Sequence, residues 1–168
     1  MCENSDIIIF TTVGTSIGEQ AGCDKNKDLT HWDSSISQKY AKRITNKKRI
    51  TDKEPAEASS LFAFAAEQKC DIENKHIRVV LLHSPEIGAV CAKSVREILK
   101  MYAKDVAEFK GATWAFVLQE IADIDPGDKD KFERAMGNVA DLMQCYHKGH
   151  PQAAFYVNMT GGYKSLSP

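Results

Sequence analysis

Two short stretches hold residues whose types and spacing suit the capture of a small anion. Near the C-terminus the chain reads Phe155-Tyr156-Val157-Asn158-Met159-Thr160-Gly161-Gly162-Tyr163-Lys164-Ser165. An apolar, strand-like run gives way there to Asn, Thr and a Gly pair, then to a Lys and a Ser where a helix would begin. Gly161 and Gly162 permit a tight turn and a close approach of backbone to ligand. The N–H groups left open at the start of a helix, with Lys164 beside them, suit a phosphate or carboxylate. A similar loop follows the first apolar run, where Ile7-Ile8-Ile9-Phe10 leads into Thr11-Thr12-Val13-Gly14-Thr15-Ser16. We read the two loops as one site.

The first loop lacks both the G-x-G-x-x-G of dinucleotide folds and the G-x-x-x-x-G-K-[ST] of P-loops. By itself it suits a strand-end turn capped by hydroxyls as well as it suits a ligand. The second loop is more specific, because a Lys inside an apolar helix start needs a reason. Other candidates are weaker. His83, beside Ser84, has the chemistry for proton transfer, but a lone strand-end histidine reads as structural. His147 and His150 flank Lys148-Gly149 where a helix should end; they suit the helix dipole, and with no third ligand nearby no metal is expected. Cys91 and Cys145 read as core fillers, and Trp32 and Trp114 as packing or interface residues.

These loops must be held by regular elements. Residues 6–13 have the β-branched, continuously apolar character of a strand buried on both faces. Residues 17–34, with Gly18, Gly22, Asp24, Asn26 and Asp28, read as a loop, and a weak helix is expected over Ser34 to Thr45. Thr51-Asp52-Lys53-Glu54 has the form of a capping box, with Pro55 in the first turn of a helix running to Lys69 and carrying Ala58, Leu61, Phe62, Ala65 and Ala66 on one face. A strand is expected from His76 to Leu82, ending in the polar loop His83-Ser84-Pro85-Glu86-Ile87-Gly88. A long helix follows from Ala89 to Phe109, then a strand from Thr113 to Leu118 and an acidic stretch from Gln119 to Asp125. Pro126-Gly127 breaks the chain before a helix from Lys129 to Tyr146, and Gln152 to Val157 completes the strands. Short strands alternating with helices, none close enough for a hairpin, predict an α/β fold: a Rossmann-like, mainly parallel sheet with helices on both faces. In such sheets ligands bind beyond the carboxyl ends of the strands, where strand order reverses. Three polar loops, after the first, second and fourth strands, belong to that edge.

Composition narrows the function classes. With 168 residues the chain suits one domain with a full core. No run approaches the roughly 18 apolar residues of a membrane span. The opening Met1-Cys2-Glu3-Asn4-Ser5-Asp6 lacks the regions of a secretory signal, so a cytoplasmic protein is expected. A net charge of −1 argues against a binder of long nucleic acid. The basic segment from Lys39 to Arg49 reads as a solvated face. Five scattered cysteines (Cys2, Cys23, Cys70, Cys91, Cys145) without a C-x-x-C pair suit reduced thiols, not a disulfide frame or a zinc site.

Three segments together resemble the CRISPR-associated Rossmann fold (CARF) domain: Val13-Gly14-Thr15-Ser16, Leu82-His83-Ser84-Pro85-Glu86-Ile87-Gly88, and Asn158-Met159-Thr160-Gly161-Gly162-Tyr163-Lys164-Ser165. The resemblance runs along nearly the whole chain and includes the helical Ala56-Glu57-Ala58-Ser59-Ser60-Leu61. It implies a sensor of cyclic oligoadenylate, the messenger of type III CRISPR systems, working as a homodimer with the ring across the two-fold axis and no cofactor. Carried over residue by residue, Thr12, Gly14, Thr15 and Ser16 would contact the ring in the first loop. Asn158, Thr160, Gly161, Gly162, Lys164 and Ser165 would do so in the last, with Ser84 and Glu86 at the rim. Some members of the family cleave the ring without metal. Here that would fall to Lys164 as charge stabiliser and Ser16 or Thr15 as positioner. In the family the last loop opens a helix and an effector domain often follows, so a chain ending at Pro168 is expected to be truncated, split or separate from its effector. An unrelated nucleotide-binding Rossmann-like protein is the remaining reading, disfavoured by the missing Gly-rich fingerprint and the missing acidic residue at the end of a second strand.

Overall fold

A computed structural model describes residues 5–23, 31, 33–36, 55–124 and 127–159. The Thr51-to-Glu54 capping box, the basic segment, Trp32, most of the helix expected over Ser34 to Thr45 and the loop from Thr160 to Ser165 lie outside the described residues. Four strands form one parallel sheet: β1 (Ile7–Thr12), β2 (His76–His83), β3 (Thr113–Glu120) and β4 (Ala154–Asn158), in the order β3-β2-β1-β4. Between them run α1 (Ser16–Gln20), α2 (Ala56–Glu67), the single turn α3 (Lys69–Ile72), α4 (Ile87–Asp105), a 3₁₀ turn (Ala107–Phe109) and α5 (Lys129–Gly149). The expected Rossmann-like α/β fold is the one observed.

Alternation along the strands divides the core in two. Ile7, Ile9 and Val13 of the first strand and its extension, with Ile77, Val79 and Leu81 of β2, meet α2 and α4 on one face. Ile8, Phe10, Val80 and Leu82 point to the other face, where α5 lies across them with Ala135, Met136 and Tyr146. Right-handed crossovers require this arrangement. The β1-to-β2 and β2-to-β3 connections advance across the sheet one way and keep their helices on one face. The β3-to-β4 connection returns past β1, so α5 takes the opposite face.

Most elements begin and end near their expected bounds; the differences have physical causes. Residues 17–34 were expected as a loop, yet α1 opens at Ser16; residues 34–36, where a helix was expected to start, are helical. Ile17, isolated among polar neighbours, is fully buried, and a helical period cannot be read from one apolar residue per turn. Pro55 is the N-cap of α2, not a first-turn residue. The long helix stops at Asp105, and the last residues of its expected span form the 3₁₀ turn that buries Phe109 against Trp114, with ring centroids 4.8 Å apart. Asp128 caps α5 by accepting the Lys131 N–H at 3.1 Å, a bond that holds its carboxyl below the usual range. Cys91 is buried as expected, whereas Cys145 lies on the exposed side of α5 and is not a core filler.

Leu99, completely buried where α4 meets the sheet, is a suitable probe of the larger core. Leu99→Ala is expected to cost about 2–5 kcal/mol, read as a lower urea midpoint with an unchanged denaturant slope.

Candidate functional site

The parallel register brings the carboxyl ends of all four strands to one edge. Thr12 of β1 lies beside Leu82 of β2, His83 beside Glu120 of β3, and Thr11 beside Asn158 of β4. The Val13 N–H continues the ladder to the Leu82 carbonyl at 2.8 Å, so the first loop leaves the sheet only after Val13. Strand order reverses between β1 and β4, and the crevice outside that pair is where open parallel sheets bind ligands. The first loop and Asn158, the residue that leads into the Gly-Gly-Tyr-Lys-Ser stretch, flank it.

Each described residue of the expected site has a definite local role. Gly14 donates its N–H to Glu57 Oε1 at 3.0 Å. Thr15 accepts the Gly18 N–H on its carbonyl at 2.9 Å, closing the turn into α1. The Ser16 hydroxyl oxygen is buried and has no hydrogen-bond partner among the described residues. Thr12, half-buried, ends β1. Asn158 Nδ2 donates to Ser60 Oγ on α2 at 2.6 Å, tying the end of β4 to that helix. The loop after β2 is constrained differently. A Cβ at Gly88 would collide with Ser84 Oγ, so the serine hydroxyl packs on a bare glycine at the start of α4. Glu86 is exposed and holds φ at +55°, a conformation that L-residues with side chains seldom adopt. His83 is buried, and its Nδ1 pairs with the Ser84 carbonyl at 2.8 Å, so the ring is engaged in shaping the loop. Thr160, Gly161, Gly162, Lys164 and Ser165 fall outside the described residues.

The rim is polar, but the nearest groove is not. An open depression of about 270 Å³ runs between α2 and β4, lined chiefly by Ile9, Leu61, Ala63, Phe64 and Tyr156, with Asn158 among its polar residues. Its walls suit apolar contact more than the binding of an anion. At the opposite, amino-terminal edge, His150 is buried with Nε2 3.3 Å from Arg78 Nη1. A guanidinium only donates, so that nitrogen accepts and is spent on structure. Among the described residues no group of three or more His, Cys, Asp or Glu is placed to hold a metal ion, and no helix is long and apolar enough to cross a membrane.

Glu57 is the residue that sequence reading passes over. It stands at the second position of α2, beside the apolar stripe of Ala58, Leu61 and Ala65, and is fully buried. An acidic residue in a first helical turn is ordinary, because the helix dipole favours it, so nothing in the pattern marks it as interior. One carboxyl oxygen holds Gly14; the other, Oε2, has no partner among the described residues. An orphaned buried oxygen costs about 1–3 kcal/mol. Burial raises the Glu57 pKa above the ordinary 4.5, outweighing the lowering by the Gly14 hydrogen bond. The unfolded chain therefore ionises at a lower pH than the folded one. Between 4.5 and the raised folded value the unfolded state binds fewer protons, and stability falls as pH rises through that window. Glu57→Gln is expected to remove this decline. Denaturant titrations of the wild type and the variant, from about pH 4 to about pH 8, should diverge with rising pH in favour of the variant.

A protein-family model described as CRISPR-associated protein (Cas_APE2256) matches residues 52–168, well over half of the chain. The match spans α2 with Glu57, the loop after β2 and the C-terminal Gly-Gly-Tyr-Lys-Ser stretch. No curated protein matches the chain.

Proposed function

The chain belongs to the CRISPR-associated Cas_APE2256 family, and on that premise we propose that it is a sensor domain for cyclic oligoadenylate, with cyclic tetra-adenylate the favoured ring, in type III CRISPR antiviral defence. One arrangement carries the reading: β1 and β4 end side by side at the point where strand order reverses, and each leads into a hydroxyl- and Gly-bearing stretch. A small polyanion needs several short donors and one cation within a compact rim, and Thr12, Thr15, Ser16, Thr160, Lys164 and Ser165 have that chemistry. Gly14 contributes through its missing side chain, since its N–H is committed to Glu57. Gly161 and Gly162 let the second turn approach the phosphates, Asn158 anchors its start, and Ser84 and Glu86 form the outer rim. A ring with two-fold symmetry calls for a two-fold homodimer, with the ligand on the axis and occupancy passed to a fused or associated effector.

Calorimetric titration with cyclic tetra- and hexa-adenylate tests this directly. The wild type should bind the smaller ring more tightly, and Lys164→Ala should weaken binding by about tenfold or more through loss of one charge-assisted bond. Absence of binding to either ring removes the proposal and leaves the unrelated nucleotide-binding reading.

A second reading, metal-independent ring cleavage, is favoured by Ser16, whose buried hydroxyl is unclaimed among the described residues. In that reaction a ribose 2′-oxygen bonds to the adjacent phosphorus and the bond from phosphorus to the 5′-oxygen breaks. The 5′-oxygen takes up the proton that the 2′-hydroxyl loses, and a 2′,3′-cyclic phosphate end remains. The protein's part is to hold the 2′-oxygen in line, through Ser16 or Thr15, and to neutralise phosphoryl charge through Lys164. Chromatography of ring incubated with the wild type should then show linear product. Ser16→Ala should slow its formation by about 10- to 100-fold at saturating ring, beyond any loss of affinity. Recovery of intact ring from the wild type eliminates cleavage and retains the sensor.

A further inference from the structure

We propose that Glu57 is the positioning residue of the first loop: reaching from α2 beneath the turn, it holds the Gly14 peptide and so fixes how Thr15 and Ser16 meet the ring. The inference rests on the sensor reading and deepens it. Gly14 sits between the end of the β1 ladder and the first turn of α1, so the orientation of its peptide sets the exit direction of the loop. Val13 N–H is fixed to Leu82 on one side, and the Thr15 carbonyl is fixed by Gly18 on the other. The Gly14 N–H is the link between them, and it is held by a side chain from a different element, 43 residues away in sequence.

Packing alone does not account for a carboxyl here. The site adjoins an apolar stripe that alanine and leucine fill elsewhere on the same helix, and one of the two oxygens is left without a partner among the described residues. What the side chain supplies is reach and an acceptor. Shortening it by one methylene leaves the acceptor short of a donor now 3.0 Å away, whereas an amide of equal length keeps the bond. The bond also turns the Gly14 N–H inward, away from the rim. Recognition of phosphate at this loop therefore falls to the Thr15 and Ser16 side.

The test compares Glu57→Gln, Glu57→Asp and Glu57→Ala with the wild type by calorimetric titration, using cyclic tetra-adenylate as the probe. The Gly14 amide is followed in parallel by ¹H–¹⁵N spectra and hydrogen exchange without ligand. Gln should bind within about threefold of the wild type, and Asp and Ala about tenfold or more weakly. The Gly14 amide should shift and exchange faster in Asp and Ala but not in Gln. A purely structural role would lower thermal stability in Asp and Ala while leaving affinity at a temperature where all are folded, and that result overturns the inference. So does an unmoved Gly14 amide in Asp. Should Ala fail to fold, the contrast between Gln and Asp still decides. A wild type that binds no ring overturns the sensor reading, and the ligand role of Glu57 with it. The amide data then report separately whether Glu57 anchors the loop.

Discussion

Strand β1 is paired along both edges and covered on both faces, and the rest of the domain is built outward from that enclosure. A strand in this position has no solvent side, so its residues must be apolar without alternation; Ile7 to Phe10 meet the requirement with almost no exposure. The run ends in Thr-Thr-Val-Gly-Thr-Ser, where polar side chains and a glycine let the chain leave the core. Pairing with β2 on one side and β4 on the other makes this exit a topological boundary. Helices α2 and α4 belong to the forward crossovers, α5 to the returning one, and the place where they part company is the crevice above Thr12.

Much of this was legible in the residues themselves. Four apolar runs separated by helical periods leave few alternatives to a parallel layered sheet, and the loops after β1 and β2 announce themselves by their hydroxyl and glycine content. The illegible parts share a cause. Ile17 is a single anchor in polar surroundings, and an anchor without a period cannot be told from a stray apolar residue. Cys145 and Cys91 look alike as helical cysteines, yet only tertiary packing decides which one faces inward. Glu57 is the sharpest case, because an acidic residue at a helix start is the most ordinary of signals, and its burial depends on where Gly14 arrives from another part of the chain.

The buried carboxyl also changes how the rim is understood. Sequence alone leaves the first loop open between a strand-end turn capped by hydroxyls and a ligand site. The fold commits the Gly14 N–H to the interior, where it fixes the turn. Together with the Asn158–Ser60 bond, this makes α2 the common support of both strand ends that flank the crevice. The helix is gripped at its first turn by the β1 loop and one turn later by the end of β4. The alignment of the two loops is thereby referred to a single rigid body.

At the far edge the chain is fastened by different means. Asp6 accepts the His76 N–H at 2.7 Å, the Ala154 N–H donates to the Asp6 carbonyl at 2.9 Å, and Arg78 meets His150 at the end of α5. Three of the four strands are thus cinched at their roots by groups remote from the crevice. The two edges of the sheet are held by separate sets of groups, the root by Asp6, Arg78 and His150 and the other by Glu57 and Asn158. A lesion among the root groups should therefore loosen that edge while leaving the Gly14–Glu57 and Asn158–Ser60 bonds in place at the other.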